Sequence, residues 1–115
     1  MDNPSPIALT IAGSDSGGGA GIQADLKVFQ AHGVYGASIV TAVTAQNGRE
    51  IRATQPIDAH LVAAQIDAVV ADLRVGAVKT GMMVNAGIVS VVAAAIERHG
   101  LTNLVVDPVF VATSG

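Results

Sequence analysis

The sequence has 115 residues, of which half are hydrophobic and only 13% are charged, with a net charge of −3. A chain of this length buries roughly 65% of its unfolded surface, which suits one domain or part of one, and its composition excludes a disordered protein. The six basic residues form no cluster that could bind nucleic acid, no apolar run reaches the roughly 20 residues needed to cross a bilayer, and the lack of cysteine excludes disulfides and thiolate chemistry. We therefore expect a cytoplasmic protein without a signal peptide.

The first predicted elements are a strand, a glycine-rich loop and a helix. Ile7–Ala12 is short, apolar and β-branched, which predicts a buried strand. The segment 13–21 contains five glycines in nine residues. A helical pattern follows over about residues 20–32 and ends at Gly33. Such a loop lets the backbone approach a ligand, and the helix after it offers N–H groups at its start.

The glycine loop does not fit the phosphate-binding P-loop, because no lysine follows its glycines before Lys27. The letters of the dinucleotide fingerprint do fit residues 19–24, but the first glycine of that match lies well beyond the end of the strand. The next strand also lacks the acidic residue that this fingerprint requires. A dinucleotide-binding dehydrogenase and a purely structural turn remain as weaker alternatives.

The rest of the chain alternates strands and helices, which predicts a mostly parallel sheet with helices on both faces. Residues 37–45 are nearly all apolar or threonine and are typical of a central parallel strand. Ligands bind at the carboxyl ends of such strands, so we expect segments 13–21, 44–47, 79–83 and 107–115 to converge. The elements predicted after the first helix are strand 37–45, a turn at Asn47-Gly48, a short exposed strand at 50–54, helix 59–73 capped by Asp58, strand 75–80, a helix from Asn85 to His99, and strand 104–106.

Four segments, in order and at matching spacing, carry a resemblance to a known family. They are TIAGSDSGGGAGIQADLK at 10–27, TAVTAQN at 41–47, VKTGM at 78–82, and VVDPV at 105–109 with ATSG at 112–115. On these segments the chain resembles the hydroxymethylpyrimidine/phosphomethylpyrimidine kinases, a thiamine-biosynthesis family of the ribokinase-like superfamily. Pyridoxal kinases share the Asp-Pro-Val segment, whereas the first segment distinguishes the pyrimidine kinases from them.

The resemblance implies a ribokinase-like three-layer sandwich, of which residues 1–115 form the N-terminal part of a single domain. It implies ATP- and Mg²⁺-dependent phosphorylation of 4-amino-5-hydroxymethyl-2-methylpyrimidine and of its monophosphate. The anion hole and the catalytic base of the family lie in a second half, so we expect no catalytic residue here, an inactive isolated segment and an exposed apolar edge. A pyridoxine-type kinase and a non-catalytic pyrimidine-binding module are the alternatives, and a homodimer is left open.

The resemblance also implies a set of site residues at the strand ends. The side chain of Gln46 holds the pyrimidine, and a primary amide suits an aminopyrimidine edge because it both donates and accepts hydrogen bonds. Asp107 faces the phosphates and binds magnesium through water. Lys79 is interpreted as a charge at the end of a strand. The substrate-binding residues implied by the resemblance are Gly13, Asp25, Thr44, Gln46, Met82 and Val109.

Overall fold

The fold is seen in a computed structural model that describes residues 5–108. Within that range the strands β2, β1, β5 and β6 form, in this spatial order, a parallel sheet, which confirms the predicted α/β class. Strands β3 and β4 form a separate antiparallel pair. The elements are β1 Ile7–Ala12, α1 Gly21–Ala31, β2 Tyr35–Val40, β3 Ala42–Gln46, β4 Ile51–Pro56, α2 Ala59–Asp72, β5 Ala77–Thr80, α3 Ala86–Arg98 and β6 Leu104–Val106.

The two faces of the parallel sheet pack against different helices. On one face, Ile11 of β1 is fully buried in a core that α2 and α3 complete. On the opposite face, which carries Thr10, the sheet packs against α1. Gly36 of β2 permits this close approach, because a Cβ there would lie 2.8 Å from side-chain atoms of both Leu26 and Phe29. Helices therefore cover both faces of the sheet, as the alternating pattern predicts.

The prediction of one central strand over residues 37–45 is wrong. This stretch forms two strands that belong to different sheets, and among residues 5–108 β2 lies at the edge of the parallel sheet rather than at its centre. The break falls at Thr41, whose N–H donates to the Ala12 carbonyl at 2.9 Å and whose hydroxyl donates to the Met82 carbonyl at 2.7 Å. The bond to Ala12 is the last of the β1–β2 ladder, the bond to Met82 holds Thr41 at the point where the chain turns away, and β3 then pairs with β4.

The predicted turns and helix ends agree well with the structure. The turn at Asn47-Gly48 joins β3 to β4 as a hairpin. Asp58 and Asn85 cap α2 and α3, since each side-chain oxygen accepts a hydrogen bond from a first-turn N–H, at 2.8 and 2.9 Å. The three helices found between residues 5 and 108 are each too short or too polar to cross a membrane.

The outer strand β6 presents an apolar edge, as expected. Its three residues, Leu104, Val105 and Val106, are 46%, 62% and 58% exposed. Within the described residues β6 pairs on one side only, with β5. An edge of this kind offers unpaired backbone groups to a further strand.

Helices α2 and α3 are joined at the surface by the carboxylate of Asp67. Its Oδ1 accepts a hydrogen bond from Arg98 Nη2 at 2.8 Å and lies 2.7 Å from Nε2 of His99. The hydrogen bond with His99, followed by that with Arg98, lowers the pKa of Asp67. A carboxyl whose pKa is lower in the folded state stabilises the fold at higher pH, and this contribution is lost as the pH falls through the lowered pKa. The contribution is small because solvent screens this half-exposed group.

Candidate functional site

The carboxyl ends of the strands border a cavity of about 210 Å³. Residues from the ends of β1, β3 and β5, from the glycine loop and from the segment after β6 contribute to its wall. The segments that we expect to converge therefore do so over the part of the chain that the structure describes. The lining residues are Ala12, Gly13, Ser14, Ala20, Gly21, Gln46, Lys79, Gly81, Met82 and Asp107.

The glycine loop is folded around the carboxylate of Asp15, which is only 4% exposed. Its Oδ1 accepts a hydrogen bond from the N–H of Gly17 at 2.8 Å, and its Oδ2 accepts from Gly19 at 2.9 Å and Ala20 at 2.8 Å. The anion held by these N–H groups is thus a side chain of the protein itself. This leaves the loop without a free cradle for the phosphates that a P-loop or a dinucleotide fingerprint would bind.

Two glycines of this loop allow the backbone to pack against itself and against the cavity wall. Gly21 has a φ of +58°, and a Cβ on it would lie 2.4 Å from the carbonyl oxygen of Gly13. That same carbonyl accepts the N–H of Ile22 at 3.0 Å, which fixes the start of α1. A Cβ on Gly13 would lie 2.8 Å from the terminal methyl of Met82. The absence of a side chain at Gly13 therefore lets the side chain of Met82 pack closely against the backbone at the cavity wall.

Gln46 lines the cavity from the end of β3, with its backbone fixed to the glycine loop. Its N–H donates to the hydroxyl oxygen of Ser16 at 2.7 Å, and that hydroxyl donates to the carbonyl of Gln46. The side-chain oxygen Oε1 lies 3.2 Å from the hydroxyl of Thr44. No residue between 5 and 108 accepts a hydrogen bond from Nε2, so the amide keeps its donors for a ligand.

Thr44, an expected substrate-binding residue, is 4% exposed and does not line the cavity. Its hydroxyl donates to the carbonyl of Ser14 at 2.7 Å, and its N–H donates to the hydroxyl of Ser14 at 3.1 Å. These bonds join β3 to the glycine loop beside Gln46. The position of Thr44 is therefore that of a residue supporting the cavity wall, and its contact with a substrate stays a prediction.

Asp25 does not line the cavity, whereas Lys79 does. Oδ2 of Asp25 accepts a hydrogen bond from the Thr10 hydroxyl at 2.6 Å and another from Lys79 Nζ at 2.9 Å. The sequence interpretation of Lys79 as a mere strand-end charge missed this arrangement. A signal was present, because a lysine within an apolar strand requires a partner, and Asp25 on the helix after the glycine loop is a candidate for it.

Asp107 lies directly after β6, where its N–H donates to the carbonyl of Thr80 at 2.9 Å. Its carboxylate is exposed and borders the cavity. Between residues 5 and 108 no group of three or more histidine, aspartate or glutamate side chains is gathered for a metal ion. The role of Asp107 toward phosphate and magnesium stays a prediction. Val109 lies outside the described residues.

The parallel sheet, its covering helices and the cavity at the strand ends are those of the ribokinase-like kinases. The crystal structure of phosphomethylpyrimidine kinase from Clostridium difficile superposes with a TM-score of 0.89 at 45% identity, over 96% of this chain and 48% of that chain. The pyridoxal kinase of Bacillus subtilis, solved as an ADP complex, superposes with a TM-score of 0.85 at 42% identity, over 94% of this chain and 41% of that one.

Within this class, the sequence profile of the phosphomethylpyrimidine kinase family matches residues 15–115. The chain belongs to the phosphomethylpyrimidine kinase family, which confirms the resemblance found in its sequence. The hydroxymethylpyrimidine/phosphomethylpyrimidine kinase of Rhizobium meliloti is 59% identical over 109 residues, covering 95% of this chain and 41% of that protein. The chain thus spans about 41% of the length of this relative.

Proposed function

We propose that the complete protein is a cytoplasmic, ATP-dependent kinase of thiamine biosynthesis. It phosphorylates the hydroxymethyl group of 4-amino-5-hydroxymethyl-2-methylpyrimidine and then the resulting monophosphate, and the described residues supply mainly the pyrimidine side of the site. The observation that supports this most directly is the pairing of an amide and a thioether in one cavity, from Gln46 and Met82. A flat heteroaromatic ring with a polar edge fits such a pair of groups.

The residues around the cavity bind and orient the pyrimidine in this proposal. Nε2 of Gln46 donates to a ring nitrogen, while its Oε1 accepts from the exocyclic amine. The thioether of Met82 packs on the ring face, next to the backbone of Gly13. Holding the ring at one edge and one face turns the hydroxymethyl group toward a fixed direction, which is how positioning lowers the barrier to phosphoryl transfer.

Asp107 is the described residue that fits a magnesium ion. Mg²⁺ keeps several water ligands and is held through one or two carboxylates together with the phosphates of the substrate. The single exposed carboxylate of Asp107, at the border of the cavity, suits binding of this kind through water. When bound, the ion would neutralise charge on the phosphates of ATP. The glycine loop has no part in holding them, because Asp15 occupies its N–H groups.

The proposal is tested by incubating the complete protein with ATP and the pyrimidine alcohol and following the mono- and diphosphates by chromatography. Pyridoxal is assayed in parallel, because the structural likeness to a pyridoxal kinase makes it the second candidate substrate. We expect turnover of the pyrimidine to exceed that of pyridoxal. A preference for pyridoxal, or pyrimidine binding without ATP turnover, would contradict the proposal. Size-exclusion chromatography of the same sample tests whether the protein is a homodimer.

The substitution Gln46→Ala is expected to weaken pyrimidine binding by about 1–3 kcal/mol, roughly 5- to 150-fold in Kd. The physical reason is that the polar edge of the ring loses its hydrogen-bond partner at the cavity wall. The free energy of unfolding should change little, since within the described residues the side chain of Gln46 makes one hydrogen bond, from the hydroxyl of Thr44. Isothermal titration calorimetry measures the first quantity and urea denaturation the second.

Gln65→Ala is the matched control. The amide of Gln65 accepts from the N–H of Val40 at 2.8 Å and donates to its carbonyl at 3.0 Å, on the edge strand β2 and away from the cavity. Its loss should therefore lower stability by about 1–2 kcal/mol and leave pyrimidine affinity unchanged. An unchanged affinity in Gln46→Ala would remove Gln46 from the binding site.

A further inference from the structure

We propose that Lys79 is a substrate-binding residue whose ammonium group donates to an oxygen of the bound pyrimidine substrate, and that Asp25 is the positioning residue that holds it. The oxygen belongs either to the hydroxymethyl group or to the phosphate of the monophosphate. This inference rests on the proposed function and adds to it the only cationic side chain that lines the cavity among the described residues.

The register of the sheet brings the three groups of this cluster together. Thr10 of β1 and Lys79 of β5 are paired positions in neighbouring parallel strands, so their side chains leave the same face of the sheet. That face packs against α1, where Asp25 is half-buried and meets both side chains through the single oxygen Oδ2. The side chains of Lys79 and Asp25 are only 25% and 18% exposed. Because the hydroxyl of Thr10 also donates to Asp25, the carboxylate is fixed against the sheet and in turn fixes the ammonium of Lys79.

The ammonium retains donors for a ligand after it has bound Asp25. A lysine carries three N–H donors and no acceptor, and between residues 5 and 108 Nζ makes one hydrogen bond, to Oδ2 of Asp25. Because Lys79 borders the cavity and Asp25 does not, a ligand there meets the cation first. On the proposed substrates, the oxygen atoms that can accept from this cation are those of the hydroxymethyl group and of the phosphate.

A glycine beside the cluster leaves room for the ammonium. A Cβ on Gly81 would lie 3.1 Å from Nζ of Lys79 and 3.0 Å from the Cβ of Ala12. Both Gly81 and Ala12 line the cavity, so the ammonium sits against the cavity wall where side chains are smallest. The local sequence thus keeps space free around the cation.

The test measures affinities of the complete protein for the pyrimidine alcohol and for its monophosphate by isothermal titration calorimetry. Lys79→Met keeps the apolar stem and removes the charge, and we expect it to weaken binding about tenfold or more for at least one ligand. Lys27→Met is the matched control, because Lys27 is exposed on α1 and donates to the carbonyl of Gly18 at 2.8 Å. It should bind both ligands as the wild type does.

The pattern of losses identifies the oxygen. A larger loss for the monophosphate assigns Lys79 to the phosphate, and an equal loss for both ligands assigns it to the oxygen that both share. Wild-type affinity in Lys79→Met for both ligands overturns the inference and leaves the proposed function standing. Wild-type protein that binds neither ligand overturns both. Should Lys79→Met fail to fold because Asp25 has lost its cation, the double variant Asp25→Asn with Lys79→Met removes both charges and must show the same loss of affinity.

A double-mutant cycle separates the positioning role of Asp25 from a direct contact with the substrate. If Asp25 acts through Lys79, Asp25→Asn weakens binding in the wild-type background and causes no further loss in the Lys79→Met background. Losses that multiply in the double variant would mean that Asp25 touches the substrate itself, and the positioning role would be wrong. A merely structural effect of Asp25→Asn would lower the melting temperature without this dependence on Lys79.

Discussion

Gly21→Ala is expected to destabilise the protein by about 2–5 kcal/mol. About 1–2 kcal/mol comes from the left-handed backbone at this position, where φ is +58°. A further 1–3 kcal/mol or so comes from forcing an atom into a space already filled, because the new Cβ would lie 2.4 Å from the carbonyl oxygen of Gly13. The neighbour is backbone and cannot rotate away. Urea denaturation, with the midpoint and slope fitted together, measures the change.

Gly33→Ala separates the two contributions to this loss. Gly33 also has a left-handed φ, +70°, but no heavy atom lies within 4 Å of a Cβ placed there. The Gly33→Ala variant should therefore lose only about 1–2 kcal/mol of stability, which is the cost of the left-handed backbone alone. Equal losses for the two variants would show that the contact with Gly13 does not constrain Gly21.

Asp15→Ala is expected to lower the free energy of unfolding by about 3 kcal/mol or more. The carboxylate accepts hydrogen bonds from three backbone N–H groups, and bonds to a charged partner contribute about 1.5–3 kcal/mol each when fully buried. Part of this is recovered because Gly17, Gly19 and Ala20 are accessible to water. Affinity for the proposed pyrimidine substrate should fall as well, since Ala20 and Gly21 line the cavity and depend on the shape of the loop.

Asp58→Ala provides the reference for a carboxylate with a single backbone partner. Asp58 accepts one N–H, that of His60, at the exposed start of α2, and its loss should be about 1 kcal/mol. Asp15→Asn retains one acceptor oxygen, so its loss in the free energy of unfolding should lie between those of the two alanine variants. A loss in Asp15→Ala no greater than that in Asp58→Ala would contradict the role assigned to the loop carboxylate.

Local signals made most of the fold predictable. Helices α2 and α3 begin at the capping residues Asp58 and Asn85, which the sequence places before apolar helical stripes. The break at Thr41 could not be read in the same way, because it depends on a hydrogen bond to Met82, which lies 41 residues away. An uninterrupted apolar run has no local mark of the point at which the chain changes sheets.

The location of the candidate site could be predicted from the sequence better than the side-chain contacts within it. The rule that ligands bind at the carboxyl ends of parallel strands correctly indicates the segments that line the cavity. The contact between Lys79 and Asp25 was not predicted, because it depends on the register of β1 with β5 and joins residues 54 positions apart. The hydrogen bonds of Asp15 with the loop could have been predicted locally, since an aspartate among glycines readily accepts hydrogen bonds from nearby backbone N–H groups.

The carboxylate inside the glycine loop bears on the thermodynamics of ligand binding. Because Asp15 already satisfies the loop N–H groups of Gly17, Gly19 and Ala20, the backbone adopts its shape before any ligand arrives. A preorganised wall loses little conformational entropy on association, so more of the contact energy appears as affinity. The heat-capacity change on binding of the proposed pyrimidine substrate should accordingly reflect only the apolar surface buried by a single ring, without the large signature of a segment that folds around its ligand.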